Sequence, residues 1–413
     1  MTTSKMRWVI AAMLCLATMI NYADRLALSV VSVEVRREFS LDERDYSHIL
    51  SLFMLAYAIM YAGSGYIVDR LGTRRGFSVF IFGWSVAQML HGLTVGKWSM
   101  GACRFLLGLA EPGNWPAAAK AVAEWFPASQ RALGVGIFNA GPSLGSAIAP
   151  PMVAFITGLY GWRASFLVTG SLGLVWLCAW LLIYRSPEDR SAEGAGLVAE
   201  AGRPQAKVDW KRVVRMPGCY TLILTRFFTD PVLYFAIFWL PEYLRRERGF
   251  DIAMVGKYAW VPFIFGDIGY VLGGWLSGRL IRAGWPLPRA RKFVMLCGAA
   301  VMPATIFAPM VPEAWMAIAA TCFLTFGHAL WVANLQTLPT DLFKGGEIGT
   351  ATGFSGTGGA IGGILANLGT GYVVTQFSYT PIFLIAGLMH PLSIALTYWL
   401  LPDRHFAVRV SKE

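Results

Sequence analysis

The chain predicts an all-α integral membrane protein with twelve spanning helices, and three observations carry that reading. Its 413 residues are 56% hydrophobic and only 14% charged, with a mean hydropathy of +0.52, well outside the composition of a soluble domain. Apolar runs of about 20 residues recur along the chain, the length a helix needs to cross a bilayer core. The short alternating segments of a membrane β-barrel are missing from the pattern.

Twelve runs meet the length rule. In the first half they are Trp8 to Ser32, His48 to Val68, Gly76 to Thr94, Trp98 to Ala123, Ala132 to Gly158 and Ala164 to Tyr184. In the second half they are Gly218 to Pro241, Ile252 to Ser277, Phe293 to Met310, Trp315 to Leu338, Gly349 to Gln376 and Pro381 to Leu401. Lys5 and Arg7 precede the first run in the manner of a leader peptide. That run is too long, contains Asp24 and Arg25, and lacks a small-residue cleavage site, so it reads as a retained span. The polar stretch Arg185 to Arg215 divides six runs from six, giving bundles at 1–184 and 218–413 joined by a linker at 185–217. Val208 to Val214 within it suits an amphipathic helix lying along the membrane face.

Basic residues set the orientation. With both termini cytoplasmic, about 22 of the 35 Lys and Arg fall inside and about 9 outside. Arg70, Arg74, Arg75, Arg279, Arg282, Arg289, Arg291 and Lys292 belong to the inside set. The net charge of +11 is therefore a topology and lipid-headgroup signal, and it needs no nucleic-acid partner. Cys15, Cys103, Cys178, Cys219, Cys297 and Cys322 show no paired or metal-ligand spacing and read as small buried packing residues. No metal site is expected.

The halves echo each other. Gly65-Tyr66-Ile67-Val68-Asp69-Arg70-Leu71 recurs loosely as Gly274-Trp275-Leu276-Ser277-Gly278-Arg279-Leu280. At a constant shift of 217 residues, Phe126, Gly136, Gly141 and Gly145 fall on Phe343, Gly353, Gly358 and Gly362. A duplicated six-span unit is a design from which rocking transporters are built, with a site between the repeats. Glycines at four-residue spacing let helix backbones approach closely.

Ionisable residues inside apolar spans mark a pathway, because each costs roughly 2.5–3.5 kcal/mol at mid-bilayer unless it faces a partner, water or a substrate. Arg104 and Glu111 stand seven apart on one face of the fourth span, with Gly108 between them. The expected chemistry is a guanidinium tuning a proton-holding carboxyl, and Asp24 with Arg25 repeats it on the first span. A structural ion pair is the alternative for each. Arg226 lies about 12 Å into the seventh span at 1.5 Å per residue, with Asp230 one turn on. Arg25 and Arg226 come from corresponding helices of the two halves and suit an anion clamp, although Arg226 paired only with Asp230 is the competing reading.

Aromatic faces and hydrogen bonders suited to a sugar also lie within spans. They are Tyr22, Tyr57 and Tyr61, then His328, Trp331 and Asn334, with Asn139, Ser355 and Thr357 as candidates for hydroxyls. For any single Tyr or Trp, packing or an interface belt is the plainer alternative. His328 has no charged partner in its own span and reads as a neutral hydrogen bonder, not a proton carrier. Enzyme and pump readings lack support: Gly92-Leu93-Thr94-Val95-Gly96-Lys97-Trp98 is too short for a phosphate-binding loop and has no Ser or Thr after its Lys.

The segment Gly65-Tyr66-Ile67-Val68-Asp69-Arg70-Leu71-Gly72-Thr73-Arg74-Arg75 resembles the loop motif between the second and third helices of the major facilitator superfamily. Asp69, Arg70, Arg74 and Arg75 read as a gate latch of charge-assisted hydrogen bonds across helices. Within that superfamily, Asn21-Tyr22-Ala23-Asp24-Arg25, and Arg104 to Glu111 followed by Pro112-Gly113-Asn114-Trp115-Pro116-Ala117-Ala118, resemble the anion:cation symporter branch. Arg226-Phe227-Phe228-Thr229-Asp230-Pro231, Phe238-Trp239-Leu240-Pro241 and Ala333-Asn334-Leu335 are most similar to bacterial hexuronate transporters. The resemblance covers nearly the whole chain and implies two pseudo-symmetric six-helix bundles in a bacterial inner membrane.

It further implies proton-coupled symport of a small organic anion such as glucuronate or galacturonate, with protons as the coupling ion and no cofactor. Asp24 and Glu111 would carry protons, with Arg104 as tuner. Arg25 and Arg226 would hold the carboxylate. A monomer in contact with lipid is expected. Pro142 stands where galactonate-type relatives carry a glutamine, and Leu233 where hexuronate relatives carry an aromatic residue. Aldonate symport, organic-anion/phosphate antiport and a non-transporting sensor remain as alternatives.

Overall fold

The computed structural model describes residues 3–185, 208–251, 254 and 257–406. Most of the expected linker lies outside these residues. Every regular element described is helical. The first half contains α1 (Thr3–Val30), α2 (Ser32–Glu38), α3 (Glu43–Leu71), α4 (Thr73–His91), α5 (Lys97–Ala110), α6 (Asn114–Trp125), α7 (Ala128–Asn139), α8 (Gly141–Tyr160) and α9 (Trp162–Ile183). The second contains α10 (Trp210–Arg215), α11 (Pro217–Phe238), α12 (Leu240–Arg248), α13 (Val261–Arg282), α14 (Leu287–Val301), α15 (Ala314–Leu335), α16 (Leu338–Leu342), α17 (Ile348–Gln376) and α18 (Thr380–Leu400). The short α10 falls where the amphipathic segment was expected.

All twelve expected spans contain helix, and eight of these helices are long and apolar enough to cross a membrane by length and composition alone. The third, fourth, eighth and eleventh fall short for physical reasons. Helix α4 opens on Thr-Arg-Arg, α5 and α6 are interrupted, α13 carries Asp267, Arg279 and Arg282, and α17 is rich in glycine. The interruption in the fourth span is a 3-10 turn at Glu111–Gly113, where Pro112 cannot donate a backbone hydrogen bond.

The chain divides into two compact units. The first takes in Met1–Trp125, Phe138–Trp210 and Lys344–Gly353; the second takes in Phe126–Ile137, Lys211–Phe343 and Phe354–Glu413.

Local chemistry sets several boundaries. The Asp42 carboxylate caps α3 by accepting from the Asp45 amide at 2.6 Å. Gly161 joins α8 to α9 with φ at +81°, a left-handed conformation that a side chain would strain. Nearby, Glu38 accepts from Trp162 Nε1 at 2.7 Å and Arg163 Nη1 at 2.9 Å. The Arg163 hydrogen bond, followed by that of Trp162, holds this exposed carboxyl below its usual range. At the other end of α9, Trp176, Trp180 and Tyr184 stack in sequence with centroids 5.2 and 4.0 Å apart.

The repeated glycines mediate the same contact in each unit. A Cβ on Gly141 would lie 2.7 Å from the Cys15 carbonyl, and one on Gly145 would lie 2.9 Å from Tyr22 Cβ, so α8 and α1 meet backbone to backbone. In the second unit a Cβ on Gly358 would lie 2.6 Å from the Ile223 carbonyl, and one on Gly362 would collide with the Phe227 backbone of α11. Gly145→Val and Gly362→Val are each expected to destabilise the protein by about 1–3 kcal/mol through overpacking. Ile361→Val, at an exposed neighbouring position, should change little; thermal unfolding in a single detergent compares the three.

Candidate functional site

In the first unit, α1 brings Arg25 to the break in the fourth span. Arg25 donates to Glu111 Oε2 from Nε at 2.9 Å and from Nη2 at 2.7 Å. The carboxylate has no exposed surface, whereas the Arg25 side chain is 25% exposed. Three rings surround the guanidinium, with Tyr22, Tyr57 and Phe53 centroids 4.7, 4.9 and 5.3 Å from its carbon, so cation–π attraction supports the ion pair. Tyr57 is fixed in turn: its hydroxyl accepts from Trp115 Nε1 at 2.8 Å, and its ring meets Tyr61 edge-on at 5.4 Å.

This corrects the expected pairings. Arg104 does not hold Glu111; its Nη1 donates to the Arg25 backbone carbonyl at 3.3 Å, while its Nε and Nη2 are buried without a protein partner. Sharing a face is insufficient, because residues seven apart are about 10 Å apart along the axis. Nor does Asp24 pair with Arg25, since helix neighbours point about 100° apart. Asp24 is fully buried, no cation is paired with it, and Glu111, Thr169 and Arg104 are its polar neighbours. Asn139 is buried at the end of α7.

The latch also has other partners than expected. Asp69 Oδ1 meets Lys120 Nζ and the Gly349 amide, each at 3.0 Å. Its Oδ2 accepts from the Thr350 amide at 2.6 Å and the Thr350 hydroxyl at 2.8 Å. Both members of the Lys120–Asp69 pair are buried, and the two amides belong to the first turn of α17, where backbone N–H groups are free to bind an anion. Arg70 and Arg75 are exposed, and Arg74 donates to the Leu181 carbonyl. None of the three arginines bonds to Asp69.

In the second unit, Arg226 and Asp230 pair along α11, with Nε and Nη2 at 2.8 and 2.7 Å from Oδ2. His328 Nδ1 on α15 lies 3.2 Å from His390 Nε2 on α18. Trp331 is buried with its ring edge-on to His390 at 5.4 Å and its indole nitrogen without a protein partner. The Asn334 amide donates to the carbonyls of Gly273 and Leu330 at 3.2 and 3.3 Å, and the Ser355 hydroxyl to that of Leu222 at 3.5 Å. Backbone therefore engages these two donors. Thr357 is half-buried on α17.

Two basic residues counted as loop charges are buried here. Arg291 binds Asp341 Oδ2 and the Ser277 hydroxyl, each at 2.9 Å, and the Ala128 carbonyl at 2.7 Å. Lys292 binds the Leu401 carbonyl and Asp403 at 2.7 and 2.8 Å. All six cysteines are free, and Cys178 is exposed, unlike the buried packing residue expected. Among the described residues no group of three or more His, Cys, Asp or Glu is placed to hold a metal ion.

Lys120 and His390 were missed from sequence, although each had a signal as an ionisable residue in an apolar helix. What the sequence concealed was the partner, 51 residues away for Lys120 and 62 for His390.

The family model described as Major Facilitator Superfamily matches residues 14–366 and 287–413. The chain belongs to the major facilitator superfamily. It is similar to the hexuronate transporter of Escherichia coli K12, with 29% identity over 99% of this chain and 96% of that one. It is also 29% identical to the D-galactonate transporter of Escherichia coli O6:H1, over 91% of each chain. Among solved structures, the proton:xylose symporter XylE bound to 6-bromo-6-deoxy-D-glucose matches with a TM-score of 0.73 at 15% identity, covering 97% of both chains. The fold is thus that of the major facilitators, and the protein is a multi-pass membrane transporter, not an enzyme.

Replacing Lys120 by Met is expected to cost about 3 kcal/mol, because it leaves a buried carboxylate without its cation. Adding Asp69→Asn to that variant should recover much of the loss, and a double-mutant cycle on thermal stability measures the coupling.

Proposed function

We propose that this protein is a proton-coupled symporter for a small sugar acid, most simply a hexuronate such as glucuronate or galacturonate. The observation that supports it is the Arg25–Glu111 pair, a partly exposed guanidinium on a fully buried carboxylate. An incoming substrate carboxylate competes for Arg25, whose planar fork suits that group. Once Arg25 turns to the substrate, Glu111 is an uncompensated buried charge, which costs several kcal/mol unless it takes up a proton. Substrate and proton therefore favour each other's binding, and reciprocal linkage of that kind defines symport. Asp24, buried beside Glu111 and Arg104, is the second proton carrier, and Arg104 adjusts the field on both.

Tyr22 and Tyr57 hold Arg25 in place and offer ring faces to a sugar. Tyr61 and Asn139 support them in the first unit. In the second unit, Arg226, His328 and Trp331 supply a cation, a ring nitrogen and an aromatic face, with Asn334, Ser355 and Thr357 in supporting roles. The relatives named for hexuronate and galactonate transport, matched over nearly the whole chain, support the substrate class. Asp69 acts as a gate latch through Lys120 and α17. Both termini are cytoplasmic in this reading, the protein works as a monomer, and the membrane is a bacterial inner membrane.

Proteoliposomes with an inward proton gradient should accumulate labelled glucuronate, and a protonophore should abolish the accumulation. Glu111→Gln should lose accumulation while still exchanging labelled for unlabelled glucuronate. Uphill uptake by that variant would remove Glu111 from proton coupling. Wild-type exchange without accumulation would make the protein an antiporter.

A further inference from the structure

The His328–His390 contact carries information beyond packing. A neutral imidazole has one N–H, so at 3.2 Å one ring must donate and the other accept. His390 has no exposed surface, and its Nδ1 has no hydrogen-bond partner. A proton on that nitrogen would leave a buried N–H unmatched, which is the rarer and costlier defect. The hydrogen of His390 therefore sits on Nε2 and points at His328 Nδ1. His328 Nδ1 must accept, which leaves the His328 hydrogen on its own Nε2. A doubly protonated ring on either residue fails the same test, because each arrangement puts a hydrogen on His390 Nδ1.

The charged groups acting on His328 are Asp230 and, more weakly, Arg226, both on α11. His328 also keeps 2% of its surface exposed, whereas His390 is sealed behind it.

We propose that His390 is a positioning residue that locks His328 as an Nε2–H donor beside the Arg226–Asp230 pair, aimed at a carboxylate or hydroxyl oxygen of the transported anion. The aimed donor rests on the sugar-acid reading above; the tautomer lock does not. His390 gives the transporter a preference for substrates with an acceptor oxygen at this point. An analogue deoxygenated there would lose the contact.

The test has two arms. The first reads tautomers directly from side-chain 15N resonances of histidine-labelled full-length protein in lipid nanodiscs. There are five histidines in the chain, and His328→Gln and His390→Gln assign the pair. Hydrogen on Nε2 of both rings is expected; hydrogen on His328 Nδ1 would overturn the proposal. The second arm measures glucuronate uptake kinetics. His390→Phe preserves an aromatic edge against Trp331 but removes the donor, so KM should rise about tenfold, the loss of one hydrogen bond, with the maximal rate nearly unchanged. His390→Gln keeps an N–H near the Nε2 position and should restore KM. A purely structural role gives the opposite order, with Phe tolerated and Gln damaging, and that result would reject the assignment. If the wild type moves neither glucuronate, galacturonate nor galactonate but the resonances are as expected, the sugar-acid reading fails and the lock survives.

Discussion

Glu111 is fully buried, and its direct ion-pair partner is the Arg25 guanidinium. Much of the first unit is arranged around that constraint. The Glu-Pro-Gly break places the carboxylate where the fourth span changes pitch. Close contact of α8 with α1 fixes the helix that carries Arg25, and Tyr22, Phe53 and Tyr57 enclose the guanidinium. Such a pair adds little net stability, because desolvation offsets most of the Coulomb attraction. Its value lies in being exchangeable: the attraction that binds Arg25 to Glu111 also suits Arg25 to a ligand carboxylate.

The two units use the same chemistry differently. Arg25–Glu111 joins two helices, so a change of partner alters how those helices hold together. Arg226–Asp230 is an i,i+4 pair within one helix, so it ties no second helix to α11. The buried networks show a related division. Asp69 reads the first turn of α17 through backbone amides, while Arg291 collects a carboxylate, a hydroxyl and a carbonyl into a fixed knot.

Helix content and the glycine repeat were legible because they depend on composition and local spacing. Gly141 and Gly145 against α1, and Gly358 and Gly362 against α11, do what their spacing suggested. The residues of the site were legible for the same reason: charge in an apolar run is visible in one dimension. Their partners were not. Arg25 and Glu111 are 86 residues apart, and Asp69 and Thr350 are 281 apart. The choice of Glu111 over Asp24 depends on side-chain direction, and the choice of Lys120 over Arg70, Arg74 and Arg75 on which cation lies inside. Loop counting likewise missed that Arg291 and Lys292 are buried, because a basic residue at a helix start looks the same whether it faces lipid headgroups or a neighbouring carboxylate.

The four spans that are too polar or too interrupted to qualify on their own have a consequence for biogenesis. Segments such as the interrupted Lys97–Trp125 stretch and the glycine-rich α17 gain little from lipid on their own. On composition alone such segments are expected to need a packed neighbour to be held in the bilayer. For the fourth span the partner is α3, made earlier and itself strongly apolar. Arg25 precedes Arg104 and Glu111 in the chain, so their guanidinium partner is synthesised before the fourth span is complete.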